Sequence, residues 1–262
     1  MDQLISKITN LGYEVFGIFL PGVIFSIFLV FFWIALGPVA PYLSSDFFPA
    51  ITSKNASEII ESIGTRTGVG LAIPLIVFSY FLGHLLMWIG RTGKADKEIL
   101  RSPIRRTWAS LKFRIPRPEN SYDTDLEGMF ISVGNKFFPK DEPLTWTKFY
   151  PVVKNYVHRH STISLISLYQ NKYTFHRSIT IAAAALFWLC ALTLIATVYA
   201  TLQTTLPLPR WGILISLLTL STTIAWGFSD SFAYNWKLFG NSIITESYTL
   251  IFEPKKEKSD DK

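Results

Sequence analysis

Four stretches of this chain lack charge altogether: 15–45, 67–90, 178–209 and 211–229. A helix buried in a soluble core rarely runs that far without an ionised side chain. Crossing a hydrocarbon layer of about 30 Å takes roughly 20 helical residues. The shortest stretch, Trp211–Ser229, has 19 residues and is just long enough. Only 17% of the residues are charged, against about a quarter in ordinary soluble proteins. The deficit sits in these four runs, so four membrane spans are expected rather than a soluble globular domain.

Other absences narrow the function. Cys190 is the only cysteine, which excludes an intrachain disulfide and any zinc site built on paired thiolates. The chain has no GxxxxGK[ST] or GxGxxG phosphate loop, no HExxH and no GxSxG. Pro21 and Pro74 fall in the first two spans, whereas 178–202 and 211–229 contain no proline. The halves therefore do not match, as the repeats of many transporters would. No cofactor and no metal are expected.

What charge there is has a marked placement. Residues 91–177 hold 16 Lys and Arg against 8 Asp and Glu. The 37–67 segment has a slight acidic excess, and the 203–210 loop has only Arg210. Basic residues stay on the cytoplasmic side during insertion. This places 91–177 and both termini in the cytoplasm, with 22 of the 25 basic residues inside. The fold expected is an all-α integral membrane protein, two transmembrane hairpins flanking a helical cytoplasmic domain, in the inner (plasma) membrane.

In chain order, residues 1–14 form a short cytoplasmic lead. The first span (15–36) reads as an uncleaved anchor, because its apolar run is too long for a signal peptide and Pro41 spoils the cleavage context. Pro21 predicts a kink near 17–21. The extracytoplasmic loop 37–67 carries a short helix opening at Asn55, and Asn55-Ala56-Ser57 is a glycosylation sequon. The second span (68–90) contains His84, the one titratable side chain within a span and hence a candidate for a pH- or ligand-linked role.

The cytoplasmic block opens with Ser102-Pro103, a cap followed by a first helical residue. Ile104, Trp108 and Leu111 then form an apolar stripe, with Arg105, Arg106, Lys112 and Arg114 off it. This basic amphipathic segment beside the membrane points to anionic headgroups. Nucleic acid is not expected, since the membrane is the nearer surface. Thr124-x-x-Glu127 reads as a capping box. Leu126, Met129, Phe130, Val133 and Phe137 follow at helical spacing, and so do Trp146, Phe149, Tyr150, Val153 and Val157. These two faces are the expected domain core.

From Ser161 the helical pattern passes through Tyr169, Tyr173 and Arg177 into the third span (178–202) without glycine or proline. One continuous helix is expected, with those three residues as candidates for coupling domain to bilayer. Ala182–Ala185 is a small-residue patch suited to helix–helix contact. The fourth span (211–229) carries Ser216, Thr219, Ser221, Thr222 and Thr223. Thr219, Thr222 and Thr223 are the best pore-lining candidates, although hydroxyls also bond back to their own backbone. An interfacial amphipathic helix (230–252) with Phe232, Trp236, Phe239 and Ile243 and a disordered tail (253–262) complete the chain.

The layout is similar to that of small bacterial membrane components that work with a cytosolic partner, some of them in anti-phage defence operons. The similarity is architectural and carries over no residue. The leading expectation is a non-enzymatic membrane protein that forms homo-oligomers and couples a cytosolic protein partner or signal to the bilayer. A pore-forming effector acting through the span-four hydroxyls is the second. A lipid-modifying enzyme using His84 or His158 is the third; His158 and His160, two apart on a helix, point to different faces and make no metal pair.

Overall fold

The computed structural model describes residues 11–36, 69–94, 99, 101–118, 121–139, 141–161, 164–203 and 211–253. The expected helix at Asn55, its sequon, most of the N-terminal lead, the 204–210 loop and the lysine-rich tail lie outside these residues. The protein is mostly helical. Three helices are long and apolar enough to cross a membrane: Tyr13–Leu36, Leu165–Tyr199 and Gly212–Phe252.

The first of these begins as a π-helix over Tyr13–Phe19 and continues as α1, Leu20–Leu36. The wider turn falls where the kink was expected. Pro21 has no N–H to offer the carbonyl four residues back, which belongs to Gly17. Ser178 Oγ donates to that Gly17 oxygen instead, at 3.3 Å. Helix α2 (Val69–Ile89) crosses this segment at two glycines. A Cβ on Gly22 would collide with the Ser79 carbonyl, and one on Gly83 with the Ile18 carbonyl. Ser26 and Ser79 hydroxyls meet at 3.3 Å at the same crossing. Small residues thus bring the two backbones together.

Two short strands follow, β1 (Arg91–Lys94) and β2 (Arg114–Arg117), paired in parallel with Arg91 opposite Arg114 and Lys94 opposite Arg117. This corrects the all-α expectation. The connection between them carries α3 (Pro103–Leu111), capped by Ser102, whose Oγ accepts from Arg105 N. Phe113 turns the chain from α3 into β2 at φ 59°, a left-handed position where glycine is commonest. Its ring packs against the cluster holding Ile115, Phe25 and Phe232.

A 3-10 turn (Thr124–Leu126) leads into α4 (Glu127–Phe137), and α5 spans Trp146–His160. The capping box is not formed. Helix α4 starts at Glu127, whose carboxylate instead accepts from the Tyr122 hydroxyl at 2.7 Å. Phe130, Val133, Phe149, Val153 and Val157 are buried together with Phe239, Ile243 and Ile244.

The last two helices are the frame. Helix α6 runs Leu165–Gln203, 39 residues, starting four residues after Ser161. Helix α7 runs Gly212–Phe252, 41 residues. At 1.5 Å per residue each is about 60 Å long. Residues 211–229 and 230–252 were expected as two helices; they form one. No glycine or proline breaks the chain at Ser229-Asp230-Ser231, so the end of the apolar run is not the end of the helix. The two helices pack along each other, and the C-terminal half of α7 docks against α4 and α5.

Glycine substitutions test the close approaches. A Cβ on Gly240 of α7 would strike the Ser121 carbonyl, whereas one on Gly128 of α4 meets nothing within 4 Å. Gly240→Ala and Gly83→Val are each expected to cost about 1–3 kcal/mol by overpacking. Gly128→Ala should be neutral or stabilising by up to about 1 kcal/mol. Thermal unfolding followed by tryptophan fluorescence in detergent reads all three; equal melting points for Gly240→Ala and Gly128→Ala would refute the collision.

Candidate functional site

The side chains of interest gather where α6 and α7 leave their apolar stretches. At that level α6 is enclosed on every side. Ser178, Ile179, Thr180, Ile181, Ala182, Ala183 and Ala184 are all buried, seven consecutive residues and nearly two turns. Ile181 and Ala182 meet Phe25, Leu82, Leu86, Ile115 and Phe232. Ala183 and Ala184 meet Leu111 and Ala225. The alanine patch therefore admits α3 and β2 as well as a neighbouring long helix.

Helix α3 is fixed to this level by polar contacts. Ser110 Oγ donates to Ser229 Oγ at 2.8 Å, and Trp188 Nε1 donates to Leu111 O at 2.7 Å. Arg106 forms an ion pair with Asp230 at 2.8 Å, and its side chain is only 12% exposed. Arg106 was expected at the lipid surface; it faces inward instead, because Asp230 is the first acid after the apolar run of α7. Arg105 and Arg114 are exposed. Lys112 Nζ sits 4.9 Å from the Trp108 ring centroid, a cation–π contact. The apolar stripe on α3 does not act as one packing face. Leu111 is buried, but Ile104 is 82% exposed and Trp108 also faces outward. The packing face is Thr107, Ser110 and Leu111.

Tyr169 and Tyr173 border the core formed by Phe130, Phe149, Val153 and Phe239. The Tyr173 ring meets those of Trp236, Phe239 and Phe232 edge-on, at 5.1, 5.2 and 6.2 Å. Arg177 lies half-buried one turn on, with Nε buried and without a hydrogen-bond partner among the described residues. At the start of α6, Glu246 of α7 accepts from Leu165 N at 2.8 Å. A carboxylate at a helix N-terminus satisfies an orphan donor and complements the helix dipole.

The polar residues of the apolar helices are dispersed. His84 is exposed, its ring edge-on to Tyr80 at 4.6 Å. The Tyr80 hydroxyl donates to Glu14 Oε2 at 2.6 Å. Thr219, Thr222 and Thr223 donate to Ile215 O, Leu218 O and Thr219 O, at 2.9, 2.8 and 3.0 Å. Thr219 and Thr223 lie on the outer surface of α7, so within one chain these hydroxyls line no channel. His158 and His160 do not meet either. His160 stacks on Tyr156, and burial together with Lys154 holds the His158 imidazole below its usual range. Among the described residues no group of three His, Cys, Asp or Glu can hold a metal ion.

Asp123 joins the segment leading into α4 to α7. Lys237 Nζ and Asn241 Nδ2 donate to its carboxylate at 2.6 and 2.7 Å, and its own N–H donates to Asn241 Oδ1 at 2.9 Å. Trp236 Nε1 also donates to Ser121 Oγ at 3.2 Å. Sequence spacing cannot find such partners, which are more than a hundred residues apart.

The hydrogen bonds from Lys237 and then Asn241 hold the Asp123 carboxyl below the usual aspartate range. The unfolded chain then takes up the proton first. This contribution to stability is present above about pH 4 and lost as pH falls through the lowered value. Acid titration of the melting temperature should show a shallower decline in Asp123→Asn than in wild type; superposable acid limbs would show that Asp123 adds nothing. No family model, curated protein or solved structure matches the chain.

Proposed function

We propose that this chain is a non-enzymatic, four-span inner-membrane protein with both termini in the cytoplasm. In this reading it forms homo-oligomers and couples a cytosolic protein partner to the bilayer. The observation that carries the proposal is the unbroken course of α6 and α7 from the cytoplasmic core into their apolar stretches. A helix without a break transmits displacement at one end to the other, and here two such helices pack along each other. Val69–Ile89, 21 residues without an Asp, Glu, Lys or Arg, serves as the remaining span. Tyr169 and Tyr173 stand between the aromatic core and α6, where a partner's effect on the domain would be relayed. The setting proposed is bacterial anti-phage defence, on the architectural similarity alone.

A second reading, a pore formed between copies, is favoured by one observation. Ser216, Thr219 and Thr223 are exposed on the outer surface of α7. Only a neighbouring chain could turn that surface into a lumen.

Purification of the tagged protein in gentle detergent from its native host, with mass photometry and mass spectrometry, tests the first reading. A defined oligomer carrying one cytosolic protein is expected. Tyr169→Ala should remain in the membrane and capture that protein several-fold less well. A monomer with nothing bound would sink the coupling proposal. Under the pore reading, oligomers in liposomes pass ions, and Thr222→Leu with Thr223→Leu abolishes the flux; unchanged flux in the double variant would dismiss these hydroxyls.

A further inference from the structure

Helix α2 gives one face to the first helix. Ser79, Leu82, Gly83 and Leu86 are buried there, at the close approach set by Gly22 and Gly83. The other side is bare. Ile73, Val77, Tyr80, His84 and Trp88 recur at +4, +3, +4 and +4, a single stripe on a helix, and all five are exposed. The apolar members of the stripe can face lipid without cost. The ionisable groups at this surface cannot.

Glu14 stands in the π-helical segment beside α2. The Tyr80 hydroxyl donates to its Oε2 at 2.6 Å, and Oε1 has no partner among the described residues. His84 meets the same tyrosine, ring edge against ring at 4.6 Å, and neither of its nitrogens is hydrogen-bonded among the described residues. Five residues separate His84 from Ile89, so it lies about 8 Å inside the end of the helix. An ionisable group at membrane depth ordinarily faces the interior of a bundle, against a partner. Here the helices of one chain pack behind α2, and both groups remain on the outer surface.

What this surface lacks, it also offers. Glu14 Oε1 is an open acceptor and the His84 imidazole N–H an open donor, and within one chain they are not joined. An anionic headgroup would repel Glu14, and the cation of a zwitterionic lipid would leave His84 unanswered. A second copy supplies both groups. Copies inserted in the same orientation are related symmetrically by an axis along the membrane normal, which brings like residues together at like depth. Glu14 and His84 both touch Tyr80, so they lie close to one depth.

We infer that the α2 stripe is a two-fold contact between copies of this chain. His84 of each copy donates to Glu14 Oε1 of the other, which makes two bonds by symmetry and leaves both Tyr80–Glu14 bonds in place. Val77 packs across the axis on one side of these bonds and Trp88 on the other, and together they exclude lipid and water. The inference rests on reading the chain as a membrane-spanning homo-oligomer and adds the face through which the copies meet.

The test uses the full chain in liposomes, with insertion checked by resistance to carbonate extraction. Cys190 is buried, so the unaltered chain is the blank for oxidative crosslinking. Val77→Cys, on the stripe, is expected to yield a covalent dimer from most of the inserted protein. Leu75→Cys is the control: position 75 is as exposed as 77 but lies on the opposite side of the helix. In the Val77→Cys chain, Glu14→Gln or His84→Leu should lower the dimer yield about tenfold. The double variant should lose no more, because either change breaks the same bonds. Tyr80→Phe removes only the bond within the chain and should leave the yield largely intact; a loss equal to that of Glu14→Gln would make the role of Glu14 internal and overturn the paired bonds. Yields unaffected by Glu14→Gln and His84→Leu would overturn them as well. Mass photometry in gentle detergent distinguishes the two readings. Oligomers that lack the Val77 crosslink, crosslink equally at position 75 or contain an odd number of chains overturn the α2 contact and leave the homo-oligomer reading standing. Monomers throughout overturn both.

Discussion

Enclosure of α6 over residues 178–184 is the constraint on which the rest of the molecule depends. A helix with every face covered must offer small side chains wherever a neighbour's backbone comes near, and it must satisfy each polar group from within. The segment does both. Ala182, Ala183 and Ala184 leave room for α1, α3, β2 and α7. Both hydroxyls find acceptors within the protein: Thr180 donates to His176 O one turn back at 2.8 Å, and Ser178 donates to the distant Gly17 O. Replacing any of these alanines with a larger residue would push on elements from both halves of the chain at once.

The aromatic content has a comparable logic. Rings from Trp146, Phe149, Phe130 and Tyr122 interleave in the core between α4 and α5, and Tyr150, Phe239, Tyr173, Trp236 and Phe232 continue the series along α7. Such rings bury a large area each and favour edge-on or offset contacts. They form one packed column from the core to the level of Ile115, where Phe232 is buried. This continuity, together with the unbroken α7, joins the α4–α5 core and the apolar helices by uninterrupted packing.

Much of this was legible in the residues. Phe149, Val153 and Val157 recur at helical spacing and are buried, and Pro21 marks the place where the first helix widens. The parts that were not legible depend on distant partners. Arg91–Lys94 shows no strand pattern of its own, since a short parallel strand takes its register from its neighbour. Arg106 looks like its neighbours Arg105 and Lys112 until Asp230 is beside it. The Thr124 capping box is displaced because Asp123 is committed to α7 and Glu127 to Tyr122. Asp230 reads as a boundary because hydrophobicity changes there, while the backbone, lacking a breaker, continues. The candidate site was half legible for the same reason: its basic residues were visible, but not the acid that sorts them.

The bond from Ser178 to the Gly17 carbonyl also orders events during synthesis. Ser178 lies 161 residues further along the chain, so at about 5–20 residues per second it emerges on the order of 10–30 s later. Until then the carbonyl that Pro21 leaves without its usual i+4 donor lacks the Ser178 hydroxyl as well, and an apolar surrounding penalises an unpaired carbonyl. The approach of the first helix to α6 therefore cannot be completed before Ser178 has been made.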